Sequence, residues 1–390
     1  MEILSHNFKD NDWMPLPPGD MKAEDTTGPG ISYWKDVLNR FRQNKLAVAS
    51  VFCILLILLL SVFGPYFTGK TYDAQNLPLR NMPPVIDIVT TEDGLNFYIH
   101  PELRVFLADE KGYVTEMLEP VSKSLNEKRY IYNVNGREIL LLFGKEGITL
   151  AEADGTPITN VRSVWNRNYL LGTDSLGRDM LTRLLYGGRI SLLVAFIVSF
   201  STFFIGVLYG GIAGYYGGNV DIVMMRIVEI ILAIPSTIYV ILLMIYFGQG
   251  ISNILITMAA TSWLGMSRLV RGQVLSLKEQ EFILSAKCTG VRPFSIITKH
   301  LLPNCIGPII VSATMSIPGA IATEAFMSFI GLGVAPPMPS WGILSNEGLG
   351  AIRSSPYQIL FPSIAISLTM FSFNFFGDGL RDALDPRLRK

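Results

Sequence analysis

The chain has 390 residues, of which 49% are hydrophobic and 16% charged, against about 25% charged in an ordinary soluble domain. Formal net charge is zero, which gives no nucleic-acid partner an electrostatic footprint, and mean hydropathy is +0.38. Charge concentrates in 1–45, 70–183 and 268–299 and nearly vanishes elsewhere, a pattern of polytopic membrane proteins and not of soluble enzymes.

In chain order, 1–45 reads as a polar tail. The first apolar run, 46–63, begins too far in for a signal-peptide core and is expected to stay as an anchor. Five further spans are expected at 190–213, 222–247, 251–266, 305–332 and 359–376, most of them near the ~20 residues that cross a bilayer. The fourth is the most polar, with Ser252, Asn253, Thr257, Thr261 and Ser262. The third and fifth are long enough to tilt or project. The expected fold is therefore an all-α polytopic membrane protein with six helices.

Lysine and arginine placement sets orientation. Arg40, Arg42 and Lys45 precede the first span. Arg268, Arg271, Lys278, Lys287, Arg292 and Lys299 lie between the fourth and fifth, and Arg381, Arg387, Arg389 and Lys390 follow the sixth. Six spans bring all three clusters to one face, the cytoplasmic one, so both termini are expected there. Arg178, Arg183 and Arg189 precede the second span on the opposite face and run against the rule.

Residues 65–170 then form an outside insert. Asp93-Gly94, Lys111-Gly112, Asn135-Gly136 and Asp154-Gly155 each sit between β-prone runs, such as 129–134 against 137–143. Such dipeptides signal hairpins, predicting a small β-rich domain of six to eight strands. An unstructured insertion is the alternative, against which stands the apolar run 139–143. After the insert, Thr173 or Asp174 suits an N-cap, and 180–186 is expected as a short helix lying on the outer membrane surface.

Within 171–390, Gly206, Gly210, Gly214 and Gly218 recur every four residues. They draw a smooth stripe for close helix approach, either to a rocking neighbour or in ordinary packing. Pro235, Pro308, Pro318 and Pro362 interrupt apolar runs. Freed carbonyls are tolerated in lipid where protein or a water cavity satisfies them, which fits a transport pathway or static kinks. Two acids fall inside spans. Glu229 has Arg226 three residues before it, in reach of an ion pair. Glu324 has no evident local partner and reads as a packed hydrogen-bonding group or a pathway-lining one.

No Walker A sequence, no HExxH and no Cys/His cluster with metal spacing occurs, and the chain holds three cysteines and three histidines. It is expected to bind no cofactor, and a transport role must draw energy from an ion gradient or another chain. The polar segment 268–304, between the fourth and fifth spans, is long for a connector. Gly290 suits a turn with positive φ between two short helices, 281–288 and 293–301, and Pro293 suits the first turn of the second. This pair could carry a rigid-body push from a partner.

The stretch 172–179 (GTDSLGRD), 184–192 (LLYGGRISL) and 214–218 (GYYGG) resembles the binding-protein-dependent ABC permeases, in the C-type branch of dipeptide and oligopeptide importers. So do 268–281 (RLVRGQVLSLKEQE), 326–333 (FMSFIGLG), 339–342 (PSWG) and 377–387 (GDGLRDALDPR). The resemblance covers the first span and about 170–390, leaving the insert without a counterpart in short members. It implies a docking loop for an ATPase, of pattern E-A-A-x3-G-x9-I-x-L-P, in which Ala286, Gly290, Leu302 and Pro303 match. Leu284 stands where Glu is usual, Ser285 where Ala is usual and His300 where Ile is usual; Glu281 opens the first helix. The resemblance further implies a second homologous permease, two cytoplasmic ATPase subunits that use ATP and Mg, an external solute-binding protein and a peptide substrate, in a bacterial cell membrane. Nickel or another small solute is the alternative cargo. A membrane-anchored ligand receptor is the alternative of another class, disfavoured by six spans with broken helices. An ion-coupled secondary transporter would call for an inverted repeat, and none is evident.

Overall fold

The computed structural model describes residues 33–144 and 147–385. The first 32 residues, and Arg387, Arg389 and Lys390 of the last basic cluster, lie outside the described residues. The helices are α1 (Tyr33–Gln43), α2 (Lys45–Phe67), α3 (Met180–Tyr216), α4 (Gly218–Leu232), α5 (Ser236–Phe247), α6 (Ile251–Leu277), α7 (Glu281–Cys288), α8 (Pro293–Ile296), α9 (Leu302–Asn304), α10 (Ile306–Phe329), α11 (Trp341–Leu349) and α12 (Tyr357–Leu384).

Four of these, α2, α3, α10 and α12, are long and apolar enough to cross a membrane, and the bent pair α4 and α5 makes a fifth candidate. The break at Pro235 is sharper than the expected tilt. The two halves meet at 80°, because proline lacks an N–H and pushes the residue before it out of the α region. Pro318 and Pro362, by contrast, stay inside continuous helices, and Pro308 is only the third residue of α10. The expected surface helix 180–186 does not exist separately: these residues are the first turns of α3, which runs 37 residues. The cap is Asp179, not Thr173 or Asp174; its carboxylate accepts from the Thr182 backbone N–H at 2.8 Å and the Thr182 hydroxyl at 2.5 Å.

Between α2 and α3 the described residues form nine strands, more than the six to eight expected: β1 (Val85–Thr90), β2 (Asn96–His100), β3 (Arg104–Ala108), β4 (Val114–Leu118), β5 (Ser122–Ser124), β6 (Arg129–Val134), β7 (Arg137–Gly144), β8 (Gly147–Glu152) and β9 (Val161–Trp165). They form antiparallel sheets of order β4-β3-β2-β1-β9 and β5-β6-β7-β8. Asn135 and Gly136 take φ of 54° and 85° in the two-residue loop closed by the Val134–Arg137 pair, the left-handed pair that a type I′ turn needs. Strand alternation then decides the core. Phe97 and Val105 pack towards Tyr132, Ile139 and Leu141 of the second sheet, while their neighbours Tyr98 and Phe106 pack on the opposite face against Met82, Ile86 and Val114. Each such side chain contributes about 1.5–3 kcal/mol on burial.

The insert is pinned to the helices at its base. The Tyr357 hydroxyl lies 2.9 Å from the Met82 carbonyl and 2.8 Å from that of Thr173, and Gln358 donates to Asn81 and Thr173. Asn81 also accepts, through its backbone carbonyl, from buried His100 Nε2 at 3.0 Å. His100 Nδ1 accepts from the Glu102 backbone N–H and from Arg104, so the ring is neutral with its proton on Nε2. Burial lowers its pKa below the ordinary value, and the Arg104 and Arg80 charges add to this against Glu102 and the Asn81 bond. A depressed folded-state pKa means the unfolded chain takes the proton first. The contribution of His100 is thus whole above about pH 6.5 and lost as pH falls below it. Thermal unfolding of the insert should shift downward from pH 8 to pH 5.5, and His100→Gln should flatten that dependence.

Candidate functional site

The segment joining α6 to α10 is two short helices around a glycine turn. Helix α7 ends with Val291 N–H donating to the Ala286 carbonyl at 3.1 Å and Gly290 N–H to that of Lys287 at 3.0 Å, the paired closure of a Schellman motif. Gly290 sits at φ +76° with open space where a Cβ would project. Pro293 opens α8, and the chain then widens into a π turn at Ile297–Leu301 before α9. The expected second helix is thus longer than 293–301 and irregular in its middle. A proline inside an α-helix removes a bond and collides with the carbonyl four residues back, and the wide turn lies immediately before Pro303.

Burial divides this segment. Ile283, Ala286, Ile296, Ile297, Leu301 and Cys305 form one cluster with Val207 of α3 and Met266, Val270 and Val274 of α6. Gly211 of α3 faces the π turn, where a Cβ at that position would lie 3.3 Å from Ile297. Lys287 stands 5.5 Å above the Tyr215 ring. Glu281, Ser285, Gly290, Pro293 and Pro303 are exposed, and His300 and Leu302 are half-buried. The exposed side also carries Phe282, Leu284 and Phe294, the last 65% exposed. Phe282 and Phe294 were not singled out in the sequence, and Leu284 was noted there as standing where Glu is usual. Large apolar side chains in a basic polar loop were the available signal, and Lys287, Arg292 and Lys299 of the same segment are exposed as well.

The glycine stripe packs within the chain. A Cβ at Gly206 would meet Met266 at 2.5 Å, one at Gly210 would run into the Ser267 carbonyl, and one at Gly214 would meet Val274 at 2.9 Å. Gly218 is off the stripe: it begins α4 with φ +52° and nothing within 4 Å. Arg271 of α6 then clamps Asp221 of α4 through two bonds of 2.5 and 2.6 Å. Glu229 pairs with Arg226 at 2.9 Å on the surface.

Glu324 is fully buried and has partners, as in the packed hydrogen-bonding alternative of the sequence reading. Its carboxylate accepts from Ser191 of α3 at 2.9 Å and from Ser328 one turn on at 2.7 Å. Ser191 also accepts from the Trp341 backbone N–H at 3.2 Å, so the acid sits in a joint between α3, α10 and α11. Near the start of α3, Asp174 accepts from Arg178 and Arg183 at 2.6 Å each, and Glu347 of α11 accepts from both at 3.0 and 2.5 Å. Two of the three arginines that run against the orientation rule are therefore neutralised in place.

Residues 206–390 match the family model for the binding-protein-dependent transport system inner membrane component, and 32–84 match that for the N-terminal TM domain of oligopeptide transport permease C. A dipeptide transport system permease protein of Bacillus subtilis (strain 168) is 35% identical over 387 residues, 99% of this chain and 96% of the relative. This chain belongs to the binding-protein-dependent transport permeases. An oligopeptide transport system permease protein from the same organism is 34% identical, covering 98% of this chain and 99% of its own. The oligopeptide permease protein of Escherichia coli (strain K12) is 47% identical over 221 residues, 57% of this chain and 73% of that one.

Because Glu324 is held by two hydroxyl donors, Glu324→Gln should keep one acceptor for them and leave folding and transport near wild type. Glu324→Ala strands both serines, at about 1–3 kcal/mol for each unsatisfied group, and should lower the yield of folded protein. Thermal melts and uptake assays of the two variants separate a packing role from a charge-bearing one.

Proposed function

We propose that this permease is the C-type subunit of an ATP-driven importer of peptides, a multi-pass protein of the bacterial cell membrane. The observation that carries this is near-full-length similarity to subunits named for dipeptide and oligopeptide transport. Helix α6, too polar to stand with the candidate spans on hydropathy, is the sixth crossing, and both termini face the cytoplasm with the strand-rich insert outside. The chain works with a second homologous permease, two ATPase subunits that hold ATP and Mg, and an external solute-binding protein. No feature of the structure favours a receptor or a nickel permease.

Residues 281–303 are the seat for the ATPase. Phe282, Leu284 and Phe294 supply apolar contact, Lys287, Arg292 and Lys299 a basic rim, and the buried side of the loop continues into the core shared with α3 and α6. A push on the outer face reaches both helices through packed side chains, since packed cores shift as units.

At Gly290 the surrounding space is open, so the cost of a side chain is backbone strain, roughly 1–2 kcal/mol for a left-handed L-residue. Gly290→Val should insert and express but lose labelled-dipeptide uptake and stimulation of ATP hydrolysis. Gly290→Asn, which tolerates that conformation, should retain both. Wild-type uptake by the valine variant, with ATPase association intact, removes the hinge from the coupling path. Orientation has its own check: a single cysteine at Asn135, in a background lacking Cys53, Cys288 and Cys305, should react with an impermeant thiol reagent in intact cells. Labelling confined to lysed cells would place the insert inside.

A further inference from the structure

Helix α2 has 23 residues, about 34 Å at 1.5 Å each, against a hydrocarbon layer of about 30 Å. Its last residues, Tyr66 and Phe67, are 73% and 87% exposed and, closing a helix of that length, stand at one boundary of the layer it spans. Tyr186 and Arg189 of α3 meet them there. The Arg189 guanidinium lies 5.5 Å from the Tyr66 ring and 5.0 Å from the Tyr186 ring, and it donates to the Val62 carbonyl at 2.6 Å. Tyr72 packs on Tyr186 with ring centroids 4.8 Å apart. Aromatic rings with interleaved lysine or arginine mark the headgroup level.

The final segment of the insert is fastened to this level. Lys70, at most about 10 Å of chain past Phe67, donates to the Asn168 carbonyl, lies 3.7 Å from the Tyr169 ring, and pairs with Asp179 at 3.7 Å. Two large apolar side chains of the same segment point outward, Trp165 at 50% and Leu170 at 43% exposure. Trp165 gives its ring N–H to the Leu170 carbonyl at 2.9 Å. The indole is thus satisfied internally and carries no unpaired donor into a less polar medium.

We propose that Trp165 and Leu170 extend the aromatic belt of α2 and α3 and rest on the lipid surface, so that the strand-rich insert leans on the bilayer through the end of β9. Lys70, three residues past Phe67, contacts Asn168 and Tyr169 next to Leu170 and so links the patch to the end of α2. The inference rests on the spanning reading of α2, not on which side is cytoplasmic.

The test uses the whole transporter complex in lipid nanodiscs. In the cysteine-free background, nitroxide labels are placed by Phe67→Cys, Trp165→Cys, Leu170→Cys and Asn135→Cys, and collision rates with oxygen and with a water-soluble nickel chelate are compared. Positions 67, 165 and 170 should show a higher oxygen-to-nickel ratio than 135. Aqueous values at 165 and 170 with a lipid value at 67 would overturn the lipid contact alone. Exclusion of both reagents at 165 and 170 would assign the patch to a protein partner and overturn it equally. An aqueous value at 67 would remove the spanning reading of α2 itself.

Discussion

The close approach of α6 to α3 is the constraint on which the rest depends. It exists because Gly206, Gly210 and Gly214 carry no side chain where Met266, Ser267 and Val274 arrive. In lipid no hydrophobic force draws helices together, so intimate backbone contact and dispersion must do so. Once α6 is laid along α3, Val207 of one and Met266, Val270 and Val274 of the other present a joint floor, and the segment 281–305 folds down on it with Ile283, Ile296, Ile297 and Leu301. The loop is therefore an extension of the helix pair and not a tether. A force applied to it is resisted by a packed interior, as the proposed coupling requires.

Charge is handled at the other end of the same helix. Arg183 is 1% exposed and Arg178 is 6% exposed, a costly state for isolated cations. Asp174 and Glu347 bring two carboxylates to the two guanidiniums, and Thr173 beside Asp174 ties into the base of the insert through the Met82 backbone N–H at 2.8 Å. Removing one member would leave a buried charge uncompensated, the situation in which buried ion pairs cost most. Their pairing explains how the fold tolerates two arginines at so low an exposure.

Much of this was legible in the sequence, for reasons that are local. Apolar runs announced the long helices, Asn135-Gly136 announced its hairpin, and Gly290 and Pro293 marked the end of α7 and the start of α8. The misses have several sources. Thr173, Asp174 and Asp179 have the same capping chemistry, but α3 begins only at Met180, and Asp174 instead accepts from the Leu176 and Arg178 backbone N–H groups at 2.9 Å each, closing its own turn. Glu324 has one partner a turn on, Ser328, which the sequence reading passed over, and another 133 residues away, Ser191, which no local pattern marks. The six-to-eight strand estimate fell short because β5 is three residues long and leaves almost no pattern to read.

Proline shows why such outcomes cannot be read from residue type alone. Pro65 and Pro235 each deprive a carbonyl four residues back of its bond, Ser61 and Ile231 respectively, and in lipid a freed carbonyl must find a partner. At Pro65 it finds one across the interface: Arg189 Nε lies 3.4 Å from the Ser61 carbonyl, and α2 continues to Phe67. At Pro235 no such donor is recorded among the described residues. The Ile231 carbonyl takes the N–H of Ile234 at 3.4 Å instead, a tightened turn that ends α4 and starts α5 in a new direction. The same residue thus yields a continuous span in one place and an 80° bend in another. An arginine donor accompanies continuity at Pro65, while α10 and α12 run on through Pro318 and Pro362, so the residue type alone does not fix the outcome.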